Sequence, residues 1–297
     1  MLRIIADSTC DISKEDARKM GIQIVPISVR FGDEEFLDGV EITHEEFYTR
    51  LAECDELPKT SQPSPDTFMK VFNEAVAAGD DVLGIFISSD LSGTYQSACL
   101  AALDVEEETR KKLYMVDSRS ASIGTALLIR EAVKLRDAGV NVSDIAAACT
   151  EMSKYIKLTA VVGSLKYLKM GGRLSGAAAF AGTMLHITPV VSIEDGKVVV
   201  IGKTRGKKAA EKLMHDKLIK DGLSLTRDFM FGHINCSESL ETFINKSLTY
   251  IWDVNGNVGV SSIGCSVGTH VGPGTYGIAY VEAAESGMNR ESIVKTA

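Results

Sequence analysis

The chain has 297 residues, enough for two domains, and its 45% hydrophobic content is typical of a globular protein with a sizeable core. A net charge of −8 argues against nucleic acid as the main partner, because proteins that bind nucleic acids usually carry a basic surface. No apolar run approaches the roughly 18 residues of a membrane-spanning helix. The opening MLRIIADST leads directly into a predicted strand and offers no signal peptide, so we expect a cytoplasmic protein.

The first half of the chain alternates between strand and helix patterns. We predict strands in RIIAD, IQIVPISVRFG, DDVLGIFI and KLYMVDS, with Pro26 marking an edge or an irregular end of the second. Helices are predicted between and after them, with Thr43 and Glu46 forming a capping box and Pro65 in a first turn. This alternation predicts a doubly wound parallel sheet, in which ligands bind beyond the carboxyl ends of the strands.

The second half has a different pattern. TAVVGSL predicts a strand, and LKYLKMGGRLSGAAAFAGTML predicts a helix that breaks at its double glycine. ITPVVSIEDGKVVVIGKT predicts a hairpin with Asp195-Gly196 at its turn, and helices and strands alternate from there to GPGTYGIAYVEA. We therefore predict two closely packed domains, an α/β domain at residues 1–157 and an α+β domain with a mixed sheet at residues 158–297.

A hydroxyl-rich turn follows the predicted strand DDVLGIFI. The stretch FISSDLSGTYQSACLAAL passes through this turn into an alanine-rich helix, and Gly93 permits a close approach of the backbone to a ligand. Hydroxyls and backbone amides at a helix N-terminus suit an anion. The turn has no lysine to match the phosphates of a nucleotide, so an organic carboxylate fits it better.

Similar small-residue turns follow two other predicted strands. Ser8 lies in ADSTCD and Ser118 lies in VDSRSAS. Because loops after parallel strands meet at one edge of a sheet, we expect Ser8, Ser92 and Ser118 to line a common crevice. The alternative is that these residues only cap helices, which serine and threonine do well.

The cysteines and histidines lack metal-binding spacing. The six cysteines are scattered without a CxxC pair, so we expect buried small side chains rather than metal ligands or disulfides. His44 in HEEFY lacks the second histidine of a zinc-binding HExxH motif. We predict no metal and no cofactor, and a lone histidine such as His270 in GTHVGPGTYG is usually structural.

Several motifs together resemble one protein family. DSTCD, TSQPS, SSDLSGTYQSA, VDS, KMGGRLS and HVGPGTYGI occur in the order found in the DegV family of fatty-acid-binding proteins, over nearly the whole chain. The resemblance implies a long-chain fatty acid buried between or beside two domains, with the second domain closing the lipid site. It also implies that hydroxyls of the TSQPS and SDLSGT segments hold the carboxylate, with a histidine of the HVGPG segment nearby. Mapped onto this chain, the implied ligand-binding residues are Thr60, Ser61, Ser92, Gly93, Thr94 and His270.

The resemblance further implies a role in bacterial phospholipid synthesis. Characterised members of the family are the lipid-binding subunit of a fatty-acid kinase, and they present the carboxylate to a separate ATP-binding subunit that makes an acyl phosphate. Such a subunit is not itself catalytic and is compatible with transient membrane contact. Because two anions must approach each other in this reaction, we expect Arg173 and Arg205 at the mouth of the crevice, stabilising phosphate charge or docking the kinase subunit. The alternative is that both are ordinary solvated arginines.

Two other functions remain open. A serine-dependent acyl hydrolase would pair Ser92 with His270, but the chain has no GxSxG motif and no identifiable orienting acid. A ligand-sensing regulator would need a basic helix-turn-helix, which the sequence does not contain. A lipid is favoured over a short acid, because roughly 14 buried methylenes at about 0.8 kcal/mol each outweigh headgroup hydrogen bonds of about 1.5–3 kcal/mol.

Overall fold

The computed structural model describes residues 1–176, 187–223, 227–250 and 258–283 and, of residues 248–250, the backbone alone. The strands, in chain order, are β1 (Leu2–Asp7), β2 (Ile22–Val25), β3 (Ser28–Phe31), β4 (Glu34–Leu37), β5 (Lys59–Ser61), β6 (Asp81–Phe86), β7 (Tyr114–Asp117), β8 (Ile156–Val161), β9 (Thr188–Glu194), β10 (Lys197–Thr204), β11 (Phe229–His233), β12 (Val258–Ser262) and β13 (Tyr276–Val281). The helices are α1 (Lys14–Met20), α2 (His44–Glu53), α3 (Pro65–Ala77), α4 (Thr94–Thr109), α5 (Ile123–Asp137), α6 (Val142–Met152), α7 (Lys166–Met170), α8 (Lys207–Asp221), α9 (Ser237–Tyr250) and α10 (Cys265–Val271).

The N-terminal part is built on a parallel sheet of four strands in the order β2-β1-β6-β7. Adjacent residues of β1 point to opposite faces, as the pleat requires. Ile4 packs in the core formed with α5 and α6, whereas Ile5 packs in the core formed with α3 and α4. Helices therefore cover both faces, and the predicted doubly wound sheet is confirmed.

A small antiparallel sheet, β4-β3-β5, branches from this layer. The sequence pattern predicted one strand across IQIVPISVRFG, and this prediction is wrong because the segment divides into β2 and β3 around Pro26 and Ile27. Proline has no amide hydrogen to continue a ladder, so the chain leaves the parallel sheet there. The small sheet carries Thr60 on β5, opposite Val29.

The C-terminal part is built on a mixed sheet of six strands in the order β10-β9-β8-β13-β11-β12. β11 and β12 are parallel, and the other pairs are antiparallel. The hairpin predicted at Asp195-Gly196 is confirmed, with φ of +48° and +80° at the two turn residues. One face of the sheet packs on α8 and α9 through buried residues that include Val161, Val190 and Phe231.

Helix α5 packs against both sheets. Its buried Leu128 belongs to one core with Ile4 and Leu83 of the parallel sheet and with Met230 and Ala279 of the mixed sheet. β8 is the first strand of the mixed sheet and begins at Ile156, while the domain boundary near residue 157 stays a prediction. None of the described helices has the length and apolar character needed to span a bilayer.

The predicted helix signals have mixed outcomes. Thr43 and Glu46 form the capping box, and Pro65 opens α3. α7 ends at Met170, and Gly171, the first residue of the double glycine, is its C-cap. The alanine-rich continuation of that helix, residues 177–186, lies outside the described residues.

Candidate functional site

A cavity opens where the β6–α4 turn, the β5 segment and α10 meet one face of the mixed sheet. It contains about 1040 Å³ of space between atoms, including solvent at its open end. The hairpin turn of β9 and β10 closes onto the β6–α4 turn, where Ser88 Oγ donates a hydrogen bond of 2.8 Å to the Gly196 carbonyl.

The larger part of the cavity wall is apolar. Leu158 and Ala160 on β8 point into it, while Val161 faces α8 on the opposite side of the sheet. This division follows from the alternation of side chains along a strand. Neighbouring strands and helices complete the wall with the side chains of Ile87, Leu91, Val162, Leu168, Val191, Ile193, Val198, Val267 and Val271.

Polar side chains from three distant segments line the same cavity. Thr60 Oγ1 lies 2.9 Å from His270 Nε2, although 210 residues separate them in sequence. Ser92 lines the same cavity, and its Oγ lies 2.9 Å from Thr94 Oγ1. Gly93 packs against the side chain of Gln62, because a Cβ at residue 93 would lie 2.4 Å from Gln62 Oε1.

A fixed positive charge also lines the cavity. Arg173 Nε donates a hydrogen bond of 3.1 Å to the Leu91 carbonyl, and its Nη1 donates one of 2.6 Å to the Gly171 carbonyl. These two bonds hold the guanidinium against the β6–α4 turn. The hydroxyl-rich turn lacks a cation of its own, but the fold supplies one from the segment after α7.

The environment of His270 favours the neutral imidazole. Burial, together with the positive charge of Arg173, lowers the pKa of His270 to about 4. Among the described residues, His270 Nδ1 has no hydrogen-bond partner. A Cβ on residue 171 would lie only 2.3 Å from this nitrogen, so the glycine there permits the ring to pack closely.

Other residues that the sequence singled out lie elsewhere. Ser61 follows Thr60 on β5, is exposed, and is not among the residues lining the cavity, because successive strand side chains point to opposite faces. Thr94 is completely buried, and neither it nor Gly93 is among the residues lining the cavity. Arg205 is exposed just beyond β10 and does not line the described cavity. Ligand or partner roles for these residues stay predictions.

The expectation of one crevice for Ser8, Ser92 and Ser118 is wrong, since only Ser92 lines the cavity. Ser8 Oγ instead accepts a hydrogen bond of 3.0 Å from the Ile27 amide and donates one to Asp38. Ser118 Oγ lies 3.0 Å from Thr125 Oγ1 inside the core. Both hydroxyls are therefore bonded to other parts of the protein, Ser8 to Ile27 and Asp38 and Ser118 to Thr125 on α5, rather than directed into the cavity.

Sequence reasoning missed Ser266. This buried serine lines the cavity one helical turn before His270, on the same side of α10, and its Oγ has no partner among the described residues. The i, i+4 spacing in CSVGTH was the available signal, because residues with that spacing share a helix face.

Comparison with known proteins gives a consistent result. The model of the DegV family, described as uncharacterised proteins, matches residues 1–283. A DegV domain-containing protein of Clostridium perfringens is 35% identical over 290 residues, covering 95% of this chain and 98% of its own length. The fatty-acid-binding DegV family protein of Thermus thermophilus has a TM-score of 0.86 at 31% identity, covering 95% of this chain and 100% of its own. A stearic-acid-binding protein of Eubacterium ventriosum has a TM-score of 0.85 at 29% identity, covering 96% and 100%.

Proposed function

The chain belongs to the DegV family, and from this premise we propose that it binds one long-chain fatty acid in the cavity. The carboxylate lies at the polar end with Thr60, Ser92 and His270, and the acyl tail runs along the apolar face of β8, β9 and β10. The observation that carries this proposal is that the Thr60–His270 pair and a long apolar wall line the same cavity.

The polar end is suited to a single negative charge. The Thr60 hydroxyl and the neutral ring of His270 each carry one proton and share one hydrogen bond, so this pair can donate one hydrogen bond to the carboxylate, and the Ser92 hydroxyl can donate another. The guanidinium of Arg173, which lines the same cavity as His270, supplies a positive charge. A carboxylate needs no more than this, whereas a triphosphate would bring Mg²⁺ and several further charges.

The tail dominates the affinity, and the headgroup sets the orientation. Each methylene buried against the apolar wall contributes about 0.8 kcal/mol, before ordering and desolvation are subtracted. A hydrogen bond to the charged carboxylate adds about 1.5–3 kcal/mol. A short acid would keep the hydrogen bonds of its carboxylate but would lose most of the free energy contributed by buried methylenes. The proposal is therefore specific to long chains.

The direct test is mass spectrometry of lipid extracted from the purified protein, followed by binding measurements. We expect a long-chain fatty acid at up to one equivalent. Ser92→Ala and Thr60→Ala should each weaken binding about tenfold to a hundredfold, the loss of one hydrogen bond to a charged group. Thr49→Ala is the matched control, because the Thr49 hydroxyl bonds the Glu45 carbonyl within α2. Extraction of no fatty acid from lipid-replete cells, or unchanged affinity in both site variants, would refute the proposal.

We further propose that the bound carboxylate is presented to an ATP-binding kinase subunit, which forms the acyl phosphate. Arg205 is exposed and free to meet a partner surface, whereas Arg173 lines the cavity. Arg205→Ala should therefore leave fatty-acid affinity within about threefold and lower acyl-phosphate formation at least about tenfold, with the kinase subunit and ATP supplied. Lys208→Ala, which removes a neighbouring exposed charge, is the control. Equal turnover for Arg205→Ala and the wild type would show that Arg205 is surface charge.

The hydrogen bonds of Ser92 and His270 disfavour the hydrolase alternative. The hydroxyl of Ser92 pairs with Thr94, and His270 pairs with Thr60 and lies beside a cation rather than a carboxylate. A serine nucleophile needs a base that is itself oriented by an acid. Incubation with activated acyl esters should therefore yield no acyl-serine.

A further inference from the structure

A second cluster of functional side chains lies outside the fatty-acid cavity. Asp38 follows β4, His44 is the first residue of α2, and Cys265 is the first residue of α10. One potential ligand atom from each of these residues lies within 4.8 Å of the other two. We propose that this cluster, called the Asp-His-Cys cluster below, binds one divalent transition-metal ion of the Zn²⁺ class.

The chemistry of the three side chains matches such an ion. Zn²⁺ is bound in proteins by cysteine sulfur, histidine nitrogen and carboxylate oxygen, and three protein ligands leave a fourth position for water. With bonds of about 2.0–2.3 Å, tetrahedral ligand atoms lie about 3.3–3.8 Å apart, so the ligand atoms need to approach one another by at most about 1.5 Å. His44 is half-exposed and can supply this movement by rotating its side chain. A thiolate and a carboxylate together balance the charge of the ion.

The carboxylate of Asp38 is held in place before any ion arrives. Its Oδ1 accepts a hydrogen bond of 3.2 Å from the Cys265 amide, and its Oδ2 accepts one of 3.1 Å from the Ser266 amide. Oδ2 also accepts a hydrogen bond from Ser8 Oγ, so of the two oxygens Oδ1 keeps a lone pair for a metal. Such hydrogen bonds to a ligating carboxylate are the usual support of a metal site.

The backbone leaves room for the imidazole and for an ion to enter. A Cβ on residue 264 would lie 3.0 Å from His44 Nε2, so glycine at this position allows the ring to approach α10. Asp38, Thr43 and His44 also line an open crevice on the protein surface. Solvent in this crevice gives both an entry path and the fourth, water ligand.

An ion in the Asp-His-Cys cluster would join the segment between β4 and α2 to α10, which lies 227 residues further along the chain. Helix α10 carries Ser266 and His270 into the fatty-acid cavity. Metal binding would therefore fix one wall of that cavity. This consequence rests on the proposed lipid function, whereas the metal site itself does not.

The test is a titration of the full-length, reduced protein with Co²⁺ and then Zn²⁺. We expect one equivalent of Co²⁺ to give a near-ultraviolet sulfur-to-cobalt charge-transfer band, and one equivalent of Zn²⁺ to remove it. Cys265→Ser should abolish the band, and His44→Gln, at a half-exposed position, should weaken Zn²⁺ binding at least about tenfold. Cys99→Ser, which alters a half-buried cysteine on α4, is the matched control.

Absence of the band, or its loss in Cys99→Ser rather than in Cys265→Ser, would overturn the metal site. Circular dichroism of each variant identifies one that has failed to fold, and His44→Gln then decides the question. A protein that binds the ion through Cys265 and His44 but no fatty acid would retain the metal site and refute the lipid function.

Discussion

At the scale of single residues, His270 is the side chain whose environment is most altered by the fold. In the sequence it is a lone histidine among glycines. In the structure it is bonded to Thr60, packed against Gly171 and placed near Arg173. An imidazole in these surroundings stays neutral near pH 7, which makes it a hydrogen-bond donor to a carboxylate rather than its counter-ion.

The depressed pKa of His270 predicts a pH-dependent loss of stability. The folded protein holds this pKa at about 4, whereas an exposed histidine titrates near 6.5. As the pH falls through this window, the unfolded chain takes up the proton first, so the folded state loses stability. This one group should lower the free energy of unfolding by about 2 kcal/mol between pH 6.5 and about pH 4.5.

Urea unfolding of the wild type and of His270→Gln at the two pH values measures this effect. Buried carboxyls such as Asp7 and Asp11 titrate in both proteins and cancel in the comparison. The variant should show a smaller loss of stability on acidification than the wild type. The same loss in both proteins would mean that His270 titrates normally.

At the scale of secondary-structure elements, the strands of the mixed sheet place alternate side chains in two different environments, one on each face. On β9, Val190 packs with the core under α8 and α9, while Val191 lines the cavity. The alternating direction of strand side chains thus assigns neighbouring valines to stability and to ligand binding. The same alternation separates Thr60 from Ser61 on β5.

Substitutions at these two valines should have different effects. Val191→Phe fills part of the cavity and should weaken binding of an 18-carbon acid at least about tenfold, since each excluded methylene changes Kd about fourfold. Shorter acids should lose less affinity, so the preferred chain length falls. Val190→Ala, on the opposite face, should cost about 1–3 kcal/mol of stability and leave the chain-length preference unchanged.

Calorimetric titration with a series of saturated acids, together with urea unfolding, measures both effects. A Val191→Phe protein with the chain-length profile of the wild type would mean that the acyl tail does not run along β9.

At the scale of the whole molecule, the two sheets share a core through α5. Leu128 on this helix is completely buried, in a cluster that contains residues of both sheets. The cavity lies between elements of the same two sheets, so its shape depends on their relative position. The buried contacts of α5 therefore maintain the ligand site as well as the fold.

Removal of side-chain volume from α5 should destabilise both sheets at once. Leu128→Ala should lower the free energy of unfolding by about 2–5 kcal/mol. Because the core is shared, amide hydrogen exchange should accelerate in β6 and in β13 together. Faster exchange in β6 alone would indicate that the two sheets unfold independently.

The sequence by itself determined the elements whose signals are local. Alternating strand and helix patterns specified the parallel sheet, the mixed sheet followed from the hairpin signal, and Thr43 with Glu46 specified the start of α2. These features depend on residues a few positions apart, where the periods of the helix and the strand act directly. The resemblance of the ordered motifs added the family.

Tertiary structure alone decided which side chains meet. Thr60 reaches His270 across 210 residues, and Arg173 brings a cation to a turn that has none of its own. The Asp-His-Cys cluster follows no spacing rule, because Cys265 reaches Asp38 and His44 from a helix more than 200 residues away. Nor did the sequence reveal that Ser8 bonds Ile27 and Asp38, or that Ser118 bonds Thr125. Each of these contacts depends on how elements pack and which way each side chain points, and those are properties of the whole fold rather than of any short segment.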